Sequence, residues 1–381
     1  MASTKSSMQT PKTTGTFVVP DYYRQFQCKG GECRDSCCVG WTVTIPVRDY
    51  FRIHGLEVDK QLRDRIDRAF RVLPNPTPDR YAELVHTYDN DCPIHLKNGA
   101  CQLHAKKGEE ALPTICRLYP RGIRMDYAWE ASTANSCEKT LELLMLSPDP
   151  LTFETIKMTV PLPQDQVVPI ETQEEYHRIR NHVWMLFQNR SMPLFQRVFR
   201  VYQWVSSLEE KNSFVEDDEF LSNTETKNVD LFFEIMPVFL RESMGRNPGL
   251  VPLGTAILDQ LEEFCANDYL EMKEHLAEVV GDSDIWFEKF LMNNLFFRQF
   301  PFQEKNATFT EEALSLVGTY LLMRLIALVG MKNKQTTIDF VDIMSKVFGV
   351  IVHTRFERNI RLYLQHVEVD SPASLFALLA V

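Results

Sequence analysis

Cysteine is concentrated at one end of this chain, and this concentration limits what the N-terminal third can fold into. Eight of the nine cysteines lie within the first 137 residues. In order they are Cys28, Cys33, Cys37, Cys38, Cys92, Cys101, Cys116 and Cys137. A fold that gathers this much sulfur uses it for crosslinks, for metal binding or for redox chemistry, and each use demands a different geometry.

The compartment decides among these uses. Residues 1–19 are rich in Ser, Thr and Lys and lack the apolar core of a signal peptide, which predicts a flexible leader and a cytoplasmic protein. Disulfides are rare in the reducing cytosol. The adjacent residues Cys37 and Cys38 would close a strained ring if they were oxidised together. Metal binding or redox chemistry is therefore the favoured use of the cysteines.

The spacing of the cysteines matches none of the common metal motifs. Zinc ribbons use paired C-x2-C knuckles, and none is present. The C-x3-C-x2-C signature of radical S-adenosylmethionine enzymes begins at Cys33 and Cys37, but Gly40 occupies its third position. An iron-sulfur cluster needs four thiolates that converge in space, which three separate chain segments could supply. His95 and His104 flank two cysteines, so a mixed Cys/His zinc site is an open alternative.

Proline-rich breaks and hydrophobic periodicity predict a mainly α fold. An irregular cysteine-rich metal-binding domain is expected over residues 20–147, a Pro-rich linker over 148–170 and a helical domain over 171–381. Ile179, Val183 and Phe187 follow the helical period. Residues 313–331 contain one charge, Arg324, and are predicted to form a buried core helix rather than a membrane span, because an arginine at the centre of a span is costly.

Charge and glycine usage exclude two classes of function. The net charge of −11 lacks the basic footprint of a nucleic-acid-binding protein, so no nucleic-acid partner is expected. The chain also lacks the G-x-G-x-x-G turn with which Rossmann-type methyltransferases hold their cofactor. A protein or a small molecule is the expected partner.

Short motifs in the cysteine-rich region resemble those of the flagellin lysine-N-methylase family, in the same order. They are PDYY at 20–23, CRDSCCVGW at 33–41, CP at 92–93, GAC at 99–101, CRLYPR at 116–121 and SCE at 136–138. Weaker similarity extends to EKFL at 288–291 and FPF at 300–302. Two positions depart from the family pattern: Glu138 stands where a proline is usual, and His95 stands where the residue is normally apolar.

The resemblance implies a cytoplasmic bacterial methyltransferase that uses S-adenosylmethionine to methylate surface lysines of flagellin and carries a [4Fe-4S] cluster in the cysteine-rich region. It leaves room for peripheral membrane association and for a homo-oligomer. The apolar residues 375–381 are the expected contact for either. Whether the methyl group moves by a radical or a polar route stays open.

The candidate site residues are the cysteines themselves and polar or aromatic residues near them in the sequence. The preferred cluster ligands are Cys37, Cys38, Cys101 and Cys116, followed by Cys33, Cys92, Cys28 and Cys137. Catalytic candidates are Tyr119, Asp35 and Glu138, and cofactor-binding candidates are Trp41, by stacking, and Arg121, by pairing with a carboxylate. The alternative hypothesis is a non-catalytic interaction module in which zinc holds the cysteine-rich region together.

Overall fold

The computed structural model describes residues 12–39, 43–163, 167–209, 229–246, 250–262, 264, 266–304 and 306–381. The candidate residue Trp41 and the isolated Cys265 lie outside these ranges. The chain is mainly helical, as predicted, and forms two compact units. Unit 1 comprises residues 1–19, 26–131 and 154–167, and unit 2 comprises 20–25, 132–153 and 168–381.

Unit 1 contains a four-stranded sheet with the order β5-β6-β1-β7. Its strands are β1 (Thr13–Pro20), β5 (Arg121–Arg124), β6 (Glu130–Thr133) and β7 (Phe153–Val160). Strands β1 and β6 run parallel, with Val18 opposite Glu130. The prediction of a flexible leader through residue 19 is therefore wrong from Thr13 onward: the β-branched, aromatic run of β1 buries Phe17 and Val19 completely.

The predicted Pro-rich linker also contains regular structure. Residues 153–160 form β7, whose Thr159 hydroxyl lies 2.8 Å from that of Thr14 in β1. The prolines at 148, 150, 161 and 163 flank this strand instead of interrupting it, as expected of a residue that cannot donate to a sheet ladder. The boundary between the units is consequently discontinuous in sequence.

A second, three-stranded sheet supports the cysteine-rich segments of unit 1. Its order is β2-β4-β3, with β2 (Thr44–Ile45), β3 (Phe70–Val72) and β4 (Ala82–Leu84) all antiparallel. The helices of unit 1 are α1 (Val47–His54), α2 (Lys60–Ala69), α3 (Gln102–Lys107) and α4 (Thr114–Leu118). The hydrophobic core of unit 1 includes the fully buried residues Ile45, Ile53, Leu62 and Leu103. Cys92 and Cys101 pack against this core.

Unit 2 is built from helices. They are α5 (Glu138–Leu144), α6 (Ile170–Phe187), α7 (Leu194–Ser207), α8 (Val229–Arg246), α9 (Val251–Leu261), α10 (Ala266–Val280), α11 (Ser283–Arg298), α12 (Phe309–Gly330), α13 (Thr337–His353), α14 (Phe356–His366) and α15 (Pro372–Leu379). The periodic residues Ile179, Val183 and Phe187 of α6 are buried, as their spacing predicts.

Helix α12 is the centre of unit 2. It begins with a capping box, in which the Thr308 hydroxyl accepts from the amide of Glu311 and the Glu311 carboxylate accepts from the amide of Thr308. Among the described residues it is the one helix long and apolar enough to cross a membrane, but 89% of that apolar window is buried inside the protein. The prediction of a buried core helix is thus confirmed. Residues 375–381 are also mostly buried within this chain.

Candidate metal centre

The first cysteine segment is an irregular loop held by short local hydrogen bonds. A single 3-10 turn covers Gly30–Glu32, and the Gly30 amide donates to the Cys28 sulfur at 3.4 Å. The Cys38 amide donates to the Ser36 hydroxyl at 3.2 Å. The Cys38 carbonyl then accepts from the Cys92 amide at 3.0 Å, which joins this segment to the second one.

Two glycines allow the first and second segments to touch along their backbones. A Cβ on Gly99 would lie 2.5 Å from the carbonyl oxygen of Gly31, and a Cβ on Gly31 would lie 2.8 Å from the carbonyl oxygen of Asn98. Gly99 also has a φ of +80°, which favours glycine. The sequences GGEC and NGAC therefore carry the small residues that this contact requires, next to Cys33 and Cys101.

The second segment folds back on itself between Cys92 and Cys101. The His95 amide donates to the Cys92 carbonyl at 2.9 Å, and His95 forms an isolated antiparallel bridge with Cys101. The Gln102 amide closes the loop by donating to the Ile94 carbonyl at 3.0 Å. Cys92 and Cys101 are partly buried and pack against the hydrophobic core of unit 1.

The third segment is the short helix α4, which carries Cys116. A buried carboxylate, Asp49 of α1, accepts hydrogen bonds from the Thr114 amide at 2.7 Å and from the Thr114 hydroxyl at 3.2 Å. Asp49 is 1% exposed and also pairs with Arg52 at 3.0 Å. Sequence reasoning missed this anchor, because a single Asp in an amphipathic helix gives no signal of what its carboxylate caps.

The pKa values of several of these thiols are raised by burial and by cysteines of the other segments. Burial raises the pKa of Cys92 to about 12, and the nearby sulfurs of Cys38 and Cys101 contribute. Burial likewise raises the pKa of Cys101, with a contribution from Cys38. The pKa of Cys116 is raised well above its ordinary value, first by burial of its sulfur and then by Cys92, Cys38 and Cys101. The residue as a whole is exposed. Mutual repulsion of this kind requires proximity.

The pKa values of the neighbouring thiols of Cys37 and Cys38 are shifted in opposite directions. Their sulfurs are hydrogen-bonded, which raises the pKa of Cys37 and lowers that of Cys38 to about 6. Cys28 and Cys116 also raise the pKa of Cys37. The eight described cysteines are not joined in disulfides. Cys38 therefore ionises more readily than Cys37, Cys92, Cys101 and Cys116, whose thiols would lose their protons on binding a metal.

Two residues near the cysteines in the sequence carry buried polar atoms without hydrogen-bond partners. Arg117 follows Cys116 directly, and its side chain is 7% exposed. Its Nη1 pairs with Glu110 at 2.5 Å, whereas Nε and Nη2 are buried without a hydrogen bond. Nε2 of His95 is buried and unpartnered in the same way. Within the described ranges, no three His, Cys, Asp or Glu side chains are close enough together to hold a single metal ion.

The other predicted residues divide between the two units. Asp35 is exposed in the loop before Cys37, Tyr119 is half-buried at the end of α4, and Arg121 at the start of β5 lies over the Phe26 ring at 5.0 Å. These three belong to unit 1 with seven of the cysteines. Cys137 and Glu138 belong to unit 2.

Within unit 2, Cys137 is the residue before α5, and the buried Glu138 is the first residue of that helix. A carboxylate in this position is stabilised by the helix dipole. The six cysteines that act on one another's pKa values all belong to unit 1: Cys28, Cys37, Cys38, Cys92, Cys101 and Cys116.

Comparisons with known proteins agree with the resemblance in the motifs. The Lysine-N-methylases of Salmonella typhimurium and Salmonella choleraesuis are each 23% identical to this chain over 142 residues, which cover 35% of the chain and 33% of either relative. The Flagellar biosynthetic protein FliU of Salmonella muenchen is 22% identical over 142 residues, covering 79% of its length. The chain thus matches about a third of the length of the two methylases. No solved structure matches.

The family model of the FliB lysine N-methylase C-terminal domain matches residues 180–378, just over half of the chain and wholly within unit 2. The chain belongs to the FliB lysine N-methylase family.

Proposed function

We propose that this protein transfers methyl groups from S-adenosylmethionine to the ε-amino groups of lysines on the surface of flagellin, with a [4Fe-4S] cluster held in unit 1. Membership of the FliB family supports the reaction class. The name of the FliU relative carries the link to the flagellum. The observation that supports the cluster best is the backbone contact between the first two cysteine segments at Cys38 and Cys92, together with raised thiol pKa values to which cysteines of all three segments contribute.

The donor set of unit 1 fits an iron-sulfur cluster. Four thiolates are enough to hold such a cluster, each on a different iron, so the thiols must converge without meeting at one point. We propose Cys37, Cys38, Cys101 and Cys116 as the ligands, because they come from all three segments and act on one another's pKa. The unpartnered N–H groups of Arg117 fit the edge of an anionic centre. A cluster held by three of these four thiolates would, when bound, supply an open iron position for the amino and carboxylate groups of the methyl donor.

Residues of this chain would deprotonate the substrate lysine and bind the methyl donor. In polar transfer, the lone pair of a neutral lysine Nζ attacks the methyl carbon, the bond from carbon to sulfur breaks, S-adenosylhomocysteine leaves, and the amine loses a proton. Free lysine has a pKa of about 10.4, so a base or a dry pocket must help. Asp35 and Tyr119 are the proposed proton acceptors in unit 1, with Glu138 in unit 2 as a third candidate. Arg121 and Trp41 are proposed to bind the donor.

The surface charge and the thiol chemistry indicate the setting of the reaction. An acidic protein with a net charge of −11 attracts lysine-bearing surfaces and repels nucleic acid. Because protonated or reduced thiols must stay available, we place the reaction in the cytoplasm. The match of unit 2 to the family domain supports its role in recognising the protein substrate.

The test is the full chain purified without oxygen and analysed for iron, sulfide and zinc. We expect a brown protein that bleaches on reduction, and flagellin that gains 14 Da steps on exposed lysines when the methyl donor is added, about 14 Da being the mass of one CH₂. The double change Cys37→Ser and Cys38→Ser should remove both signals, whereas Cys265→Ser should keep them. A colourless protein with stoichiometric zinc and no methylation would instead favour the zinc-binding interaction module.

A further inference from the structure

One histidine, His95, lies between two cysteines of the second segment. His95 lies in the second segment, where its amide donates to the Cys92 carbonyl at 2.9 Å and its backbone is bridged to Cys101. Arg65 adds a hydrogen bond from its guanidinium to the His95 carbonyl at 3.1 Å. The main chain at His95 is therefore fixed between two thiols of the centre.

The side chain of His95 is held from one side only. Its Nδ1 lies 3.2 Å from the Asp91 carboxylate, and the side chain is 12% exposed. The other ring nitrogen, Nε2, is buried and has no hydrogen-bond partner. A buried imidazole nitrogen left without a partner costs free energy, so the site gains when something binds it.

This arrangement is the one that proteins use to prepare a histidine for a metal. A metal-ligating histidine almost always donates its second ring N–H to a carboxylate or a carbonyl, which fixes the ring and leaves the lone pair of the other nitrogen for the metal. With Nδ1–H directed at Asp91, the lone pair of His95 is on Nε2. Two successive backbone hydrogen bonds, from the His95 amide to the Cys92 carbonyl and from the Cys92 amide to the Cys38 carbonyl at 3.0 Å, also connect His95 to the first segment.

We propose that His95, oriented by Asp91, is a non-cysteine ligand of the metal centre in unit 1, bound through Nε2. The inference rests on the proposed function only in that a metal must bind these segments. It changes the ligand set proposed above, since His95 would take the place of one of those thiolates, and an imidazole in place of a thiolate removes one negative charge and raises the reduction potential of a cluster.

The test compares variants of the full chain reconstituted anaerobically with iron and sulfide after ¹⁵N-histidine labelling. In the reduced protein, pulsed electron paramagnetic resonance should show coupling to one imidazole nitrogen. His95→Leu should abolish the coupling, and His95→Cys should keep the iron, lose the coupling and lower the reduction potential. Asp91→Asn should weaken metal retention against a chelator by about 10- to 100-fold. His104→Leu is the matched control, because His104 is an exposed histidine in the neighbouring α3, and it should change nothing.

The outcomes separate this inference from the proposed function. A wild-type cluster without nitrogen coupling, or a coupling that persists in His95→Leu, overturns the histidine ligand while the cluster stands. If the wild type holds zinc and no iron, the cluster is wrong, and cobalt substitution then tests the histidine: its visible bands should shift in His95→Leu but not in His104→Leu. Unchanged bands in both would overturn the inference.

Discussion

Removal of the Asp49 carboxylate is a sharp perturbation of the centre because it leaves every cysteine in place. Asp49 belongs to α1 and is 1% exposed. It accepts three hydrogen bonds, from the Thr114 amide, from the Thr114 hydroxyl and from Arg52, at 2.7, 3.2 and 3.0 Å. The first two fix the start of α4, which carries Cys116. We therefore expect Asp49→Ala to release the third cysteine segment.

The magnitude follows from what the substitution leaves behind. Hydrogen bonds to a charged group contribute about 1.5 to 3 kcal/mol each, but bonds to one carboxylate are not additive. Removing one partner of a buried ion pair costs about 3 to 5 kcal/mol. Arg52 retains its bonds to the carbonyls of Glu110 and Leu112, which limits the loss. Asp49→Ala should thus lower the free energy of unfolding of unit 1 by about 3 to 5 kcal/mol.

Urea unfolding, with hydrogen exchange followed in the peptide that contains α4, measures this loss. Asp49→Asn is the matched control: its amide keeps one acceptor oxygen in the same place, so we expect about half the loss or less. Alkylation of Cys116 in the metal-free protein should accelerate in Asp49→Ala. A change in stability below about 1 kcal/mol, with unchanged alkylation, would refute the role of Asp49 as the anchor of α4.

One further substitution in each unit tests a contact inside that unit. In urea unfolding, Gly99→Ala should destabilise unit 1 by more than roughly 2 kcal/mol, because its Cβ would meet the Gly31 carbonyl. The control Gly108→Ala shares the φ of +80° but has open space around the new Cβ, so it should lower the free energy of unfolding by about 1 kcal/mol. Equal losses in the two variants would contradict the contact between Gly99 and Gly31. Glu288→Ala should lower the free energy of unfolding of unit 2 by about 3 to 5 kcal/mol, measured by thermal unfolding, because the fully buried Glu288 carboxylate pairs with Arg197 at 2.5 Å. Adding Arg197→Met should restore part of this loss, since it removes the charge left unpaired. A double variant no more stable than Glu288→Ala would contradict this explanation.

The helical part of the fold could be predicted because its signal is local. The apolar residues of α6 recur at the helical period, and Ile179, Val183 and Phe187 are buried as a result. Strand β1 gave no such signal. Its partner in the parallel ladder, Glu130, lies more than a hundred residues further along the chain, and no local pattern specifies a pairing at that distance.

The candidate site was predictable in its chemistry but not in its assembly. The number of cysteines indicates metal or redox chemistry, yet the choice among eight thiols depends on contacts between distant segments. Gly31 against Gly99, and Asp49 against Thr114, create those contacts. The grouping of Cys137 and Glu138 with unit 2 was invisible in sequence for the same reason, since their motif continues the cysteine series without a break.

A buried acid in unit 2 makes stability depend on pH between 6.5 and 8. Glu312 is 1% exposed in α12, and burial, followed by repulsion from Glu357, raises its pKa to about 8. Gln303, Arg298 and Arg361 also act on its charge and lower its pKa in part. Since the folded pKa lies above the ordinary value of 4.5, the folded protein binds the extra proton, and stability is lost as pH rises through 8.

The contribution of Glu312 to this loss follows from its raised pKa. Between pH 6.5 and 8, release of its proton should cost about 1.5 kcal/mol, at 1.36 kcal/mol per pH unit of full difference. His353 acts in the opposite direction: burial lowers its folded pKa to about 4, so the unfolded state binds the extra proton and this group's contribution to stability rises with pH. Comparison with a variant that lacks only the Glu312 acid separates the two. Glu312→Gln keeps the shape of the side chain without the acid. The protection factors of the α12 amides, which correct for the intrinsic pH dependence of exchange, should therefore fall less between pH 6.5 and 8 in the variant than in the wild type. If the wild type and the variant lose protection equally from pH 6.5 to 8, Glu312 is not the group responsible.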